Sequence, residues 1–367
     1  MYPILGNPVT MMKLLIVTIA LITFLASTTP FGVTTASASD HPVCQLETTC
    51  AEKDWGISDK EIRKDPRPDV VSLEVKNSLL YDRAYRRVTE AATLHDAPGG
   101  NPVGTLDTGF NFVTLLTEQD GWAQITPDRW ISSSVLSSNV PVSAFSGVLL
   151  EDSELPYPMA WTVVNSFASS YPGGEPSEDT DQLILRYTPI YLYATVEVDG
   201  WMWYQVGAEQ WIKQTQIAKV VPVERSEDID TERWISIDLF EQVLIAYEGE
   251  TPVFATLIAS GLPQWPTNEG LFHIYVRFQR TVMSGAQGRP DFYYLEEVPY
   301  TMYYDNDIAI HGAYWHDAFG YRRSHGCVNA SITDAHWLFN WAAEEFDFET
   351  PDDLGPAVYV YSSGEYK

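Results

Sequence analysis

The tripeptide Asp120-Gly121-Trp122 returns as Asp199-Gly200-Trp201, and Trp130-Ile131 returns as Trp211-Ile212, at offsets of 79 and 81 residues. Asp-Gly is a turn signal, so each copy marks a break between short strand runs. Around the first copy, short alternating runs such as Phe110-x-Phe112-Val113 and Trp122-x-x-Ile125 are separated by Pro98-Gly99-Gly100 and Asp107-Thr108-Gly109. Short alternating runs between turn signals read as a small β-barrel. A repeat of this size predicts two related β modules, at residues 87–138 and 150–222. Residues 141–151 then serve as a linker, and an exposed acidic loop is expected at 171–181. The tryptophans of the modules are expected mainly as core, rather than as a glycan or peptide platform.

The chain has 367 residues and is 45% hydrophobic, enough for two or three domains. Near the start, Lys13 precedes a mostly apolar run from Leu14 to Ala26, and Ala36-Ser37-Ala38 supplies small residues for cleavage. This predicts an export signal at residues 1–38, cleaved in the mature protein or otherwise a membrane tether. A polar leader broken by Pro66 and Pro68 follows at residues 39–86. Formal charge is −28, from 22 basic and 50 acidic side chains. Such acidity excludes nucleic acid and anionic lipid as partners and suits an exported protein of the cell envelope or extracellular face. Three cysteines in an exported chain divide naturally into one disulfide and one free thiol; Cys44 and Cys50 are six apart and could close a small loop, which would leave Cys327 over.

The last segment, residues 232–363, reads as a β-rich domain with a short helical component. Strand patterns run from Trp234 to Leu239, from Gln242 to Tyr247 and from Pro252 to Ala259, with Gly249-Glu250 as a hairpin turn. Further strands at 272–278 and 302–304 lead to Ile308-Ala309-Ile310-His311. After the cysteine, Ser331-x-x-Asp334 signals a helix start, with Ala335, Leu338, Phe339 and Ala342 as its apolar stripe. The fold class is mainly β throughout.

Chemistry concentrates in Ile310-His311-Gly312-Ala313-Tyr314-Trp315-His316 and Ser324-His325-Gly326-Cys327-Val328-Asn329. A thiol attacks as thiolate and needs a base, a nearby cation or a helix N-terminus. His325 lies two residues before Cys327 and His311 sixteen before it. His316 competes for the base role, but His311 follows an apolar strand run and is preferred. His273 and His336 read as structural. His311, His316, His325 and Cys327 could ligate zinc, but neither CxxC nor HExxH is present, so no metal or cofactor is expected.

Ser-His-Gly-Cys-Val-Asn with an upstream His-Gly resembles the signature of the L,D-transpeptidase (YkuD) catalytic domain family. Ser260-Gly261-Leu262-Pro263, Trp265-Pro266-Thr267, Gly270-x-Phe272-x-Ile274 and Met283-Ser284-Gly285 extend the likeness over the last third of the chain. Asn268-Glu269-Gly270 departs from it, since many members read Pro-Thr-Gly there. The two repeats resemble bacterial SH3-like domains. The family resemblance implies a peptidoglycan enzyme in which Cys327 attacks a stem peptide, releases D-alanine and passes the acyl group to an amine. It implies His311 as base with Gly312 fixing its backbone, Ser324 and His325 as orienting residues, and the N–H groups of Gly326 and Cys327 as oxyanion donors. Tyr294, Tyr304, Tyr314, Trp315, His316 and Asn329 are cleft candidates, with packing the expected job of at least two of the four Tyr and Trp residues. L,D-carboxypeptidase activity and a noncatalytic wall-binding protein are the alternatives.

Overall fold

The computed structural model describes residues 56–150, 155–179, 182–344, 346 and 354–365. The expected export signal and the pair Cys44 and Cys50 lie outside the described residues. Among those described, no helix is long and apolar enough to cross a membrane. Strands dominate, and the longest described helix is Ile332–Trp341.

Arg233–Asp238, Val243–Glu248 and Thr251–Leu257 are antiparallel neighbours, with Gly249 at φ +59° in the turn joining the last two. Every residue of Arg233–Asp238 is buried. Its two faces feed different cores: Trp234 packs with Ile245, Tyr247 and Leu257, whereas Ile235 and Ile237 pack with Leu244, Ala246 and Phe254. A strand covered on both faces can bury apolar side chains on each, as Trp234 does on one face and Ile235 and Ile237 on the other. Ala357–Tyr361 pairs in parallel with Arg233–Asp238, and Gly270–His273 ends the sheet on that side.

At the other edge the polarity of the leader and linker predicts loose connections, and the structure differs. Val71–Ser72 and Val148–Leu149 extend this sheet, with Val148 opposite Ala255. Gly147 permits the approach, since a Cβ there would lie 2.4 Å from the Ala255 carbonyl oxygen. Its N–H donates to the Asp334 carboxylate at 2.8 Å, which also accepts from Thr256 Oγ1 at 2.6 Å. The linker is thereby fastened to the first turn of the helix.

A second sheet runs in the order Val328–Ala330, Ile308–Gly312, Tyr293–Asp305, Phe110–Thr114, Tyr85–Val88, Leu136–Asn139, with Val276–Gly285 also paired to Tyr293–Asp305. Strands of the first repeat therefore lie in the sheet that leads to the cysteine. The rest of that repeat forms a five-stranded sheet from Ala92–His95, Pro102–Leu106, Thr117–Gln119, Trp122–Thr126 and Arg129–Ser132, over a core containing Val88, Val113, Ala123 and Ile131.

The repeat is one of conformation as well as letters. Asp120 and Gly121 have φ +50° and +81°, and Asp199 and Gly200 have +52° and +74°, as a two-residue hairpin of the primed type requires. Two strands, a 3-10 turn (Ser133–Val135 or Gln214–Gln216) and a further strand follow in each copy. Trp161 and Trp211 are buried, while Trp122, Trp130 and Trp201 are half-buried.

Where the first repeat meets the last domain, Tyr85 stacks on Tyr314 with centroids 3.5 Å apart. Beside them, the buried Glu296 carboxylate accepts from Thr114 N–H at 3.0 Å and from Tyr294 O–H at 3.1 Å. Burial pushes its pKa up from 4.5 to about 7. A raised carboxylate pKa means that the fold penalises the charge, so this group's contribution is full below the ordinary value and is lost as pH rises through about 7. Glu296→Gln, which keeps the shape without the charge, is expected to gain stability relative to wild type between about pH 5 and pH 8, by a few kcal/mol at most. Urea midpoints of both proteins at the two pH values check this; a difference that does not change with pH contradicts it.

Candidate active site

Ile308–Gly312 and Val328–Ala330 pair in parallel, with His311 opposite Asn329. The loop before Cys327 is pinned from the other side. Ser324 N–H donates to Ser260 O at 2.9 Å and Leu262 N–H to Ser324 O at 2.9 Å, while Ala259 and Asn329 exchange backbone bonds of 2.8 and 3.1 Å. Gly326 has φ +117°, a conformation that strains any residue with a Cβ. The Thr267 hydroxyl accepts from Gly261 N–H at 2.9 Å and donates to the Gly326 carbonyl at 2.7 Å, so it clamps this turn.

Cys327 and His311 line one cavity of about 490 Å³, together with Ser324, His325, Trp315 and Asn329. His311 is buried and its Nδ1 lies 3.1 Å from the Gly312 carbonyl. A carbonyl can only accept, so Nδ1 carries the proton and Nε2 keeps its lone pair. Gly312 is tightly enclosed, since a Cβ would come within 3.0 Å of Pro299.

His316 is also buried, but both ring nitrogens have neighbours. Nδ1 accepts from Ala318 N–H at 3.1 Å, and Nε2 lies 2.9 Å from the Asn329 side-chain amide. Accepting at Nδ1 leaves the proton on Nε2; the Asn329 amide nitrogen faces it while the amide oxygen is buried without a partner among the described residues, so turning the amide over lets that oxygen accept the Nε2 proton. Burial, with Arg323 and His311 adding to it, lowers the His316 pKa to about 3. His325 is half-buried between the rings of Trp265 and Tyr293, with Nε2 4.0 Å from Asp291.

Ser324 Oγ donates to the Cys327 carbonyl and accepts from Gly326 N–H at 3.1 Å. Of the two N–H groups expected to face an oxyanion, the Gly326 one is therefore engaged within the loop. Tyr304 and Tyr314 are core residues: Tyr304 packs with Ile274 and Met302, and the Tyr314 hydroxyl donates to Glu296 O at 2.7 Å. Tyr294 packs against the core of the first repeat. Trp315 and Asn329 do line the cavity. So do Arg87, Phe110, Asp291, Tyr293 and Arg323, which the sequence reading did not single out. Tyr293 adjoins the tyrosine considered; the others carry no local spacing signal.

The helix N-terminus does not reach the thiol. The strand Val328–Ala330 intervenes, three residues or about 10 Å of extended chain, and a helix dipole fades within its first turn. Burial pushes the Cys327 thiol up to about 11, and the Asp307 charge adds to this, against a smaller opposing contribution from a backbone hydrogen bond at Ala309. Burial also lowers His311 to about 4. At neutral pH the resting pair is thus thiol and neutral imidazole. Among the described residues, no group of three or more His, Cys, Asp or Glu is placed to hold a metal ion.

Residues 232–359 match the family model of the YkuD L,D-transpeptidase catalytic domain. A mutant of the Enterococcus faecium L,D-transpeptidase is 26% identical over 36% of this chain and 50% of its own, with a TM-score of 0.30. The catalytic domain of the E. faecium L,D-transpeptidase is 26% identical over 36% of this chain and 99% of its own, with a TM-score of 0.30. L,D-transpeptidase 3 from Mycobacterium tuberculosis, in complex with a faropenem-derived adduct, is 18% identical over 50% of this chain and 76% of its own, with a TM-score of 0.31. The chain spans about half the length of the first of these. No curated protein matches it.

Iodoacetamide labelling of Cys327, followed on its own peptide, is expected to keep accelerating beyond about pH 9, because the thiolate forms only in the alkaline range. A plateau reached near neutrality would instead reveal a preformed thiolate and imidazolium pair.

Proposed function

Since residues 232–359 belong to the L,D-transpeptidase (YkuD) catalytic domain family, we propose that this protein is a peptidoglycan L,D-transpeptidase that uses Cys327 for acyl transfer. The observation that carries the reading is that Cys327 shares its cavity with His311, whose Nδ1 is held on the Gly312 carbonyl and whose Nε2 keeps a lone pair. Cys327 Sγ attacks the carbonyl that precedes the terminal D-alanine of a stem tetrapeptide. His311 Nε2 takes the thiol proton as the bond forms and returns it to the leaving amine. D-Alanine departs, a thioester remains on Sγ, and the amine of an acceptor stem displaces the sulfur.

Cys327 N–H is the backbone donor assigned to the oxyanion, because Gly326 N–H is engaged by Ser324 Oγ. Ser324 and Thr267 hold the loop, and His325 with Trp315 borders the cavity. His316 supports the site rather than moving protons, given the neighbours at both its nitrogens. The family match and the export signal expected from the sequence support a location in the cell envelope or at its extracellular face.

Mass spectrometry of disaccharide tetrapeptide incubated with the protein tests the reaction. Cross-linked dimers and free D-alanine are expected, whereas trimmed tripeptide alone would make the enzyme an L,D-carboxypeptidase. Cys327→Ala should abolish D-alanine release in a folded protein. His311→Ala should lower turnover by about two to four orders of magnitude, the range for a positioned proton carrier. His316→Ala should mainly lower stability, by about 1–3 kcal/mol, since it removes the partners of Ala318 N–H and the buried Asn329 amide. Turnover and melting temperature for the three variants decide it; a dead but stable His316→Ala beside an active His311→Ala would reassign the base.

A further inference from the structure

The cavity that holds Cys327 is not built from the family domain alone. Arg87, Gly109 and Phe110 of the first repeat line it too. The parallel pairing that sets Phe110 opposite Tyr293 brings them there. The approach is close: Phe110 N–H donates to Phe292 O at 3.1 Å, and a Cβ on Gly109 would lie 2.6 Å from the same oxygen. Arg87 lies on the adjacent strand, opposite Phe112.

The charge of this lining runs against that of the chain. Arg87, Arg322 and Arg323 face it with one carboxylate, Asp291, in a protein with 50 acidic and 22 basic side chains. Asp291 itself is occupied, accepting from Trp265 Nε1–H at 3.0 Å. Elsewhere Arg83, Arg186, Arg233 and Arg280 are ion-paired. Arg87 and Arg323 are exposed, and among the described residues neither guanidinium has an ion-pair partner. With carboxylates so abundant, two unpaired guanidinium groups on one cavity are suited to an anion that comes from outside. An acidic protein repels anionic substrates at long range, so local cations are needed to seat one. Guanidinium groups match carboxylate geometry through two parallel N–H bonds.

We propose that Arg87 and Arg323 bind a carboxylate of the substrate in the Cys327 cavity, making the first repeat part of the substrate site. That this carboxylate belongs to a peptidoglycan stem peptide rests on the function proposed above; the carboxylate site itself does not.

Two measurements test this on the full chain. The first compares alkylation of Cys327 by iodoacetate and by iodoacetamide, which differ in the carboxylate. The iodoacetate-to-iodoacetamide rate ratio should fall about three- to tenfold in Arg87→Gln and in Arg323→Gln, with the iodoacetamide rate unchanged. An unchanged ratio in both variants overturns the site. The second uses stem tetrapeptides amidated at one carboxylate at a time. For one of them the wild-type KM should rise about tenfold or more, while the variants bind the free and amidated peptides equally. An equal response of wild type and variants to every amidation overturns the proposal. If the ratio falls but wild type releases no D-alanine from any tetrapeptide, the carboxylate site stands and the transpeptidase reading fails.

Discussion

The parallel pairing of Ile308–Gly312 with Val328–Ala330 is the constraint on which the site depends. Parallel neighbours cannot be joined by a tight turn, so the chain between them must leave the sheet and return. That excursion carries Tyr314 into the core, Trp315 to the cavity wall and His316 onto Asn329 before it delivers Cys327. Its return is fixed by Ser260 and Leu262, whose bonds to Ser324 stop the loop from sliding. The helix Ile332–Trp341 then packs the strand ends from behind, with Ser331 Oγ accepting from Asp334 N–H at 3.1 Å as its cap.

Burial decides the electrostatics of this arrangement. It raises the thiol and lowers the imidazole, so both shifts oppose a resting ion pair. The opposing contribution at the sulfur is one backbone hydrogen bond, which is smaller than the cost of taking a thiolate out of water. A thiol so placed reacts slowly until it loses its proton. In the proposed reaction, proton removal therefore accompanies attack, with His311 as the proposed base, and the Gly312 carbonyl presets the tautomer that this role requires.

The local features were legible in the sequence and the long-range ones were not. The Gly249 hairpin, the two Asp-Gly turns and the Ser331 cap depend on a few adjacent residues, and the letters specify them. That His311 and Cys327 line one cavity was expected from the apolar strand run that ends at His311 and from the family's motif. Tyr314 and Trp315 show the limit: adjacent aromatic residues look alike as cleft candidates, yet Tyr85 stacks on the first and leaves the second at the cavity. Nothing near residue 314 announces a partner at residue 85. The same holds for Arg87 and Phe110, which reach the site through a strand pairing with a partner some 180 residues away. Alternation reveals a strand and its faces, but not the strand beside it.

That pairing changes what counts as a unit in this chain. The family match begins at residue 232, but the sheet that carries His311 continues through Phe110–Thr114 and Tyr85–Val88. Between them lie the Tyr85–Tyr314 stack, the Glu296 bonds and an Arg83 to Glu297 ion pair. Removing the first repeat would bare the backbone of Tyr293–Asp305 along the stretch that pairs with Phe110–Thr114, leaving an unpaired sheet edge. It would also take one wall from the cavity. The segment that the sequence presents as an accessory module is therefore bonded into the sheet that carries His311, and the geometry of its attachment is part of the geometry of the cavity.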